Sequence, residues 1–161
     1  MDLASLPADL LFRARRIRLV LTDVDGCLTD AGVWVSEKGE ELKRFSLRDG
    51  MGVERLRRYL SIETGFVTRE ISGFAAARAR KLSVPIVETG ALGKDEIVRR
   101  LAAARELDLS EVAFLGDDVN DLPALALAGL AAGPSDAFFL VPSAVHFVAP
   151  SPGGHGAFRD L

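Results

Sequence analysis

Two short apolar runs in this chain each end abruptly in a pair of carboxylates. Ile17-Arg18-Leu19-Val20-Leu21-Thr22 stops at Asp23-Val24-Asp25-Gly26, and Val112-Ala113-Phe114-Leu115 stops at Gly116-Asp117-Asp118. A short apolar run halted by a polar, glycine-containing loop reads as a buried strand. In a parallel α/β sheet the carboxyl ends of the strands line the ligand crevice, so both pairs belong at one crevice. Alone, Asp-Val-Asp-Gly reads as a turn with side-chain caps. Its recurrence in kind on a second strand makes it a candidate site.

The intervening segments fit such a sheet. Val33-Trp34-Val35 and Leu42-Lys43-Arg44-Phe45 flank the charged turn Glu37-Lys38-Gly39-Glu40 and predict a β-hairpin within about residues 29–47. Val53, Leu56 and Leu60 recur at helical spacing after Asp49-Gly50. Gly65-Phe66-Val67-Thr68 predicts a second strand, Ile71 to Leu82 a helix, and Val84-Pro85-Ile86-Val87 a strand near an edge, because proline lacks a donor. Asp95 to Leu107 is an amphipathic helix, and Asn120 to Leu127 a short one with Pro123 in its first turn. Leu130-Ala131-Ala132 and His146-Phe147-Val148 follow, and Pro150 to Leu161 forms a glycine-rich arm. Strands alternating with helices predict an α/β fold: a single Rossmann-like parallel sheet with helices on both faces, in one domain over residues 1–161.

Composition narrows the function classes. With 48% hydrophobic and 27% charged residues the chain is neither disordered nor collagen-like. Twenty basic against 23 acidic residues, a net charge of −3, argue against a dedicated nucleic-acid binder. No stretch reaches the roughly 18–20 apolar residues of a membrane span. Met1 to Arg16 carries its charges after its apolar residues, unlike a secretory signal. Its arginines read as the face of a solvated lead-in helix. The single Cys27 cannot form an internal disulfide, which points to a reducing compartment, the cytoplasm.

Asp23 and Asp25, two positions apart on an extended segment, point the same way, roughly 6.6 Å apart. Several carboxylates in one crevice repel: two charges 4 Å apart cost about 4 kcal/mol at an effective dielectric of ~20. A hard divalent cation with oxygen ligands removes that penalty, and Mg²⁺ suits a phosphate substrate. Lys94 stands at a helix start, where a positive charge is unfavourable unless an anion is near. Gly90-Ala91-Leu92-Gly93-Lys94 lacks the spacing of a P-loop, and Asp95 stands where that motif needs Ser or Thr.

These residues resemble the haloacid dehalogenase superfamily of phosphohydrolases. Asp23-Val24-Asp25-Gly26-Cys27-Leu28-Thr29-Asp30 is similar to its first motif, Thr68 to its second, Lys94 to its third and Gly116-Asp117-Asp118-Val119-Asn120-Asp121 to its fourth. Phe45-Ser46-Leu47-Arg48-Asp49-Gly50-Met51-Gly52 and the tail Gly153-Gly154-His155-Gly156-Ala157-Phe158-Arg159-Asp160 narrow the resemblance. They point to the capless branch that dephosphorylates 3-deoxy-D-manno-octulosonate 8-phosphate or nonulosonate 9-phosphates. The resemblance implies Asp23 as nucleophile, forming an aspartyl-phosphate, and Asp25 as acid/base. It implies Mg²⁺ on Asp23, the Asp25 carbonyl and Asp117, with Asp118 and Asp121 in an outer shell. Thr68 would bind a phosphate oxygen and Lys94 neutralise transferred charge. Arg48, Asp49, Glu70, Lys81 and Arg159 are the candidate substrate-binding residues.

One departure bears on substrate. The octulosonate branch usually reads Thr-Gly-Arg where this chain has Thr68-Arg69-Glu70. A glutamate there, with a downstream lysine such as Lys81, is more similar to the nine-carbon relatives, although Glu70 also suits the first turn of a helix. A non-catalytic module, like the tail domain of a sialic-acid cytidylyltransferase, need not keep all these carboxylates. A phosphotransferase or mutase is disfavoured by the lack of a cap domain. The apolar hairpin and an outward-reaching arm ending in Arg159 predict a homotetramer whose sites are completed by neighbours.

Overall fold

The computed structural model describes residues 6–161. Helix α1 spans Ala8–Arg16, and residues 1–5 of the expected lead-in lie outside the described residues. Strand β1 (Leu19–Thr22) leads to a two-stranded hairpin, β2 (Trp34–Ser36) and β3 (Gly39–Leu42), then α2 (Leu47–Leu60). There follow β4 (Glu63–Val67), α3 (Phe74–Leu82), β5 (Ile86–Glu88), α4 (Lys94–Ala103), β6 (Val112–Leu115), α5 (Leu122–Leu127), β7 (Leu130–Gly133), β8 (Phe147–Val148) and α6 (Ala157–Asp160).

Six strands form one sheet in the order β5-β4-β1-β6-β7-β8, and every pairing is parallel. The chain moves outward from β1 to β4 and β5, then returns to place β6 on the other side of β1. The order therefore reverses at β1, where a crevice opens at the carboxyl ends of the strands. Pro85 precedes β5, which is an edge strand as expected.

Side-chain alternation sends each strand into two cores. Val20 of β1 and Ala113 and Leu115 of β6 pack with Val53, Ala75, Ala79 and Phe158. Leu19 and Leu21, with Val112 and Phe114, pack with Val98, Leu101 and Leu125 on the other face. Apolar residues on both sides explain why these strands read as continuous runs rather than alternating ones. Helices cover both faces, as the sequence predicts.

Several boundaries differ from expectation. The second hairpin strand begins at Gly39, whose positive φ of 114° tightens the turn. Phe45, expected in that strand, instead packs against the core beside α2. Helix α3 starts at Phe74 rather than Ile71, because Gly73 is its N-cap and Glu70 ties up the amides of Ile71 and Ser72.

The largest correction concerns the C-terminal arm, which folds back on its own chain instead of reaching outward. Gly154 donates its amide to the Cys27 carbonyl (2.9 Å), and a Cβ at Gly153 would collide with the Gly26 carbonyl. Phe158 is 2% exposed within the first core, and the Arg159 amide donates to Asp49 Oδ1 (3.2 Å). The arm thus buttresses the loop after β1. Truncating a buried aromatic removes its burial and leaves a cavity. Phe158→Ala is expected to cost about 3–5 kcal/mol in urea unfolding; a loss below ~1 kcal/mol would restore a frayed arm.

Candidate active site

The strand ends set the site. Thr22 is level with Phe66 on one side and Leu115 on the other, and the Asp23 amide donates to the Leu115 carbonyl (2.9 Å). Asp23 after β1, Thr68 after β4 and Asp117 after β6 therefore emerge together. Gly26, at φ 90°, lets the first loop close on the third: a Cβ there would collide with Asp117 Oδ2. The resulting cleft of about 590 Å³ is lined by Asp23, Asp25, Thr68, Arg69, Glu70, Asp117, Asp118 and Asn120, with Ala31 and Ile71.

Lys94, first residue of α4, is 1% exposed and lies 2.8 Å from Asp23 Oδ1 and 2.6 Å from Asp121 Oδ1. Those carboxylates resolve its unfavourable place at a helix start. Asp121 uses its other oxygen to accept the amides of Asp117 (2.9 Å) and Asp118 (3.3 Å). Both its oxygens are engaged, so it shapes the loop after β6. Asp118 is exposed and accepts the Val119 amide. Thr68 is buried; its hydroxyl oxygen accepts the Glu70 amide (3.1 Å), leaving its O–H free to donate into the cleft. Asp25 is half-buried, and Thr29 donates to its Oδ1 (3.3 Å).

Asp23, Asp117 and Asp121 each place a carboxylate oxygen within 4.8 Å of the others. Burial, then the charge of Asp121, pushes Asp23 up to about 6 against the pull of Lys94. Burial, then Asp23 and Asp121, pushes Asp117 up to about 8. Burial opposes the charge on Lys94, but Asp23 and Asp121 outweigh it and hold the ammonium above the usual lysine range. Three carboxylates sharing one ammonium are short of positive charge, and this all-oxygen donor set fits a hard divalent cation. Cys27, wholly buried, has its thiol pushed up by burial and then by Asp117, as suits a core residue rather than a nucleophile.

Of the candidate substrate-binding residues, only Glu70 lines the cleft. Its Oε1 accepts the amides of Ile71 (2.7 Å) and Ser72 (3.1 Å), which hold its carboxyl below the usual range; both amides precede α3, whose N-cap is Gly73, so Glu70 braces the loop before the helix and does not cap it as the sequence allowed. Asp49 is buried and bonds the Arg159 amide, a structural role. Arg48 lies beside His155 and Gly154, away from the carboxylates. Lys81 is exposed in the last turn of α3, the end of the helix remote from the strand termini. Arg159 sits against Gly52, Arg55 and Tyr59 of α2. None of these four lines the cleft.

Sequence reasoning missed Lys43, whose Nζ lies 3.0 Å from both Asp25 oxygens. It stands 18 positions from Asp25, across a hairpin, and no spacing rule marks such a contact. It missed Arg69 as well, which lines the cleft with no hydrogen bond or ion pair among the described residues.

No family model matches the chain. The 3-deoxy-D-manno-octulosonate 8-phosphate phosphatase KdsC of Yersinia pestis is 33% identical over 153 residues, covering 95% of this chain and 81% of that protein. The chain belongs to the KdsC family. The Yersinia pestis KdsC-type crystal structure superposes with a TM-score of 0.92 at 33% identity, covering 96% of this chain and 83% of that one. A 3-deoxy-D-manno-octulosonate 8-phosphate phosphatase from Moraxella catarrhalis, in complex with magnesium, phosphate and KDO, gives a TM-score of 0.91 at 28% identity, covering 94% of this chain and 87% of that one. A hypothetical protein from Xanthomonas campestris gives 0.94 at 37%, covering 98% and 86%.

The folded, metal-free chain keeps protons on Asp23 and Asp117 that the unfolded chain loses above about pH 4. These two groups therefore make the metal-free protein less stable as pH rises from about 4 toward 8. A cation that competes with those protons should stabilise more at the alkaline end. The rise in Tm on adding Mg²⁺ is expected to be larger at about pH 8 than at about pH 5. A rise independent of pH would contradict this electrostatic picture.

Proposed function

We propose that this chain is a Mg²⁺-dependent phosphatase of a 2-keto-3-deoxy sugar-acid phosphate, with 3-deoxy-D-manno-octulosonate 8-phosphate as first substrate. The observation that carries this is the convergence of Asp23, Asp25 and Asp117 on one cleft, with the buried Lys94 ammonium against Asp23, in a chain of the KdsC family. A merely phosphate-binding or oligomerising module has no need of a buried nucleophile beside a cleft acid, which disfavours the non-catalytic alternative.

The chemistry follows from the placements. With Lys94 on Oδ1, Asp23 turns its other oxygen to phosphorus. The Asp23 O–P bond forms as the bond from phosphorus to the sugar oxygen breaks, and that oxygen takes a proton from Asp25. Water then attacks the aspartyl-phosphate and gives its proton to Asp25, releasing phosphate and the Asp23 carboxylate. The Thr68 hydroxyl and the Lys94 ammonium face the phosphoryl oxygens as their charge shifts. Mg²⁺, held by Asp23, Asp117 and the Asp25 carbonyl, would supply the positive charge that these carboxylates lack. Asp118 and Asp121 would support it from the outer shell.

The nine-carbon reading is favoured by one observation: Glu70 lines the cleft where the octulosonate branch carries arginine. The exposed hairpin residues Trp34, Val35 and Leu42 support a homotetramer, since a two-stranded hairpin is marginal alone. Lys81 and Arg159 would then meet substrate only from a neighbouring subunit. No helix among the described residues is long and apolar enough to cross a membrane, and the single buried Cys27 suits a cytoplasmic protein.

Phosphate release is to be compared across 3-deoxy-D-manno-octulosonate 8-phosphate, a nonulosonate 9-phosphate and a hexose phosphate. The highest kcat/KM is expected for the eight-carbon acid; preference for the hexose phosphate would overturn the substrate class. Asp23→Asn should lower turnover at least ~10³-fold, because an amide is no nucleophile here. A loss within tenfold would refute the nucleophile.

A further inference from the structure

Lys43, the residue after β3 of the hairpin, reaches two residues that line the cleft, Asp25 and Glu70. Trp34, Val35 and Leu42 of that hairpin are 72%, 66% and 64% exposed, whereas the Lys43 side chain is 6% exposed. Its Nζ is equidistant, at 3.0 Å, from the two oxygens of Asp25. The other side-chain partner of Asp25 among the described residues is the Thr29 hydroxyl, on one oxygen at 3.3 Å. One long hydrogen bond leaves a carboxylate free to rotate about its terminal torsion, which is broad and soft. An ammonium bridging both oxygens removes that freedom.

Lys43 is itself held from several sides. Glu70 Oε2 lies 3.8 Å and Glu40 Oε2 4.0 Å from its Nζ, and the head sits 5.7 Å from the centre of the Phe74 ring at the start of α3. The hairpin, the loop after β4 and α3 thus fix one cation, and that cation fixes Asp25. This gives Glu70 a second use: besides bracing the loop before α3, it helps hold Lys43.

We propose that Lys43 is the positioning residue for Asp25, an inference that rests on the phosphatase reading in which Asp25 passes its proton to the sugar oxygen. Acid–base catalysis needs the proton within hydrogen-bond reach of the departing atom, so a carboxylate free to turn loses part of its effect. A residue that merely tethers the hairpin would depress every substrate alike. A residue that aims the acid matters in proportion to how badly the leaving group needs a proton. An alkoxide needs one; p-nitrophenolate hardly does.

The test compares kcat/KM, which reports the steps through departure of the leaving group, on the sugar-acid phosphate and on p-nitrophenyl phosphate. Lys43→Met and Lys43→Gln are both examined, so the outcome does not depend on one variant folding. Each should lose about 10–100-fold on the sugar-acid phosphate, part of the ~10²–10⁴ that general acid catalysis supplies, and less than about threefold on the nitrophenyl ester. Lys43→Arg should recover part of the loss. In an Asp25→Asn background, Lys43→Met should cost less than about threefold on either ester, since residues that act as a unit are non-additive. Equal losses on the two esters, or a full loss persisting without the Asp25 carboxylate, would overturn the positioning role. A wild-type chain inactive on both esters would overturn the phosphatase reading with it.

Discussion

The buried ammonium of Lys94 is the charge around which the site is organised. It holds Asp23 on one side and Asp121 on the other, and Asp121 in turn gathers the amides of Asp117 and Asp118. Strands β1 and β6 and helix α4 are thereby locked together at the point where the sheet order reverses. Removing one partner of a buried charge network leaves an uncompensated charge and costs about 3–5 kcal/mol. The network is therefore a structural keystone as well as the core of the proposed site. Even so it is incomplete, since two of its carboxylates are pushed toward the protonated state.

Two peripheral pieces complete the cleft without a cap domain. The arm after β8 supports the loop after β1 from behind, with Gly153 and Gly154 packed on the backbone of Gly26, Cys27 and Thr29. Arg44 joins that arm to the hairpin base, bonding Asp30, the Gly154 carbonyl and the His155 ring. The hairpin then brings Lys43 onto Asp25. The chain thus flanks the loop after β1 on two sides using segments distant in sequence.

The sheet and the central cluster were legible because they obey local rules. Apolar runs marked β1 and β6, their polar endings marked the crevice, and Lys94 betrayed itself by standing at a helix start. The parallel sheet and its two-sided core followed from alternation with helices, whereas the strand order rests on long-range pairings that no local pattern marks. The substrate-binding residues fared worse for a physical reason: Arg48, Asp49 and Arg159 were grouped by motif, and motif spacing does not separate a residue that shapes the scaffold from one that meets a ligand. Asp49 is spent on the arm, and a glycine-rich tail that read as outward-reaching is pinned by Phe158. Lys43 was invisible because its contact with Asp25 depends on the fold of the hairpin and on no local pattern.

In the proposed mechanism Asp23 itself takes the phosphoryl group, and Asp25 gives the leaving oxygen its proton and then activates water. Asp25→Asn mixed with p-nitrophenyl phosphate and Mg²⁺ separates the two steps, because the nitrophenolate leaves without an acid while hydrolysis of the acyl phosphate lacks its base. Acid-quenched mass spectrometry should find a phosphoryl adduct on the peptide containing Asp23, formed with a burst of nitrophenolate. Nitrophenolate release with no adduct at Asp23, or an adduct on another residue, would contradict the account.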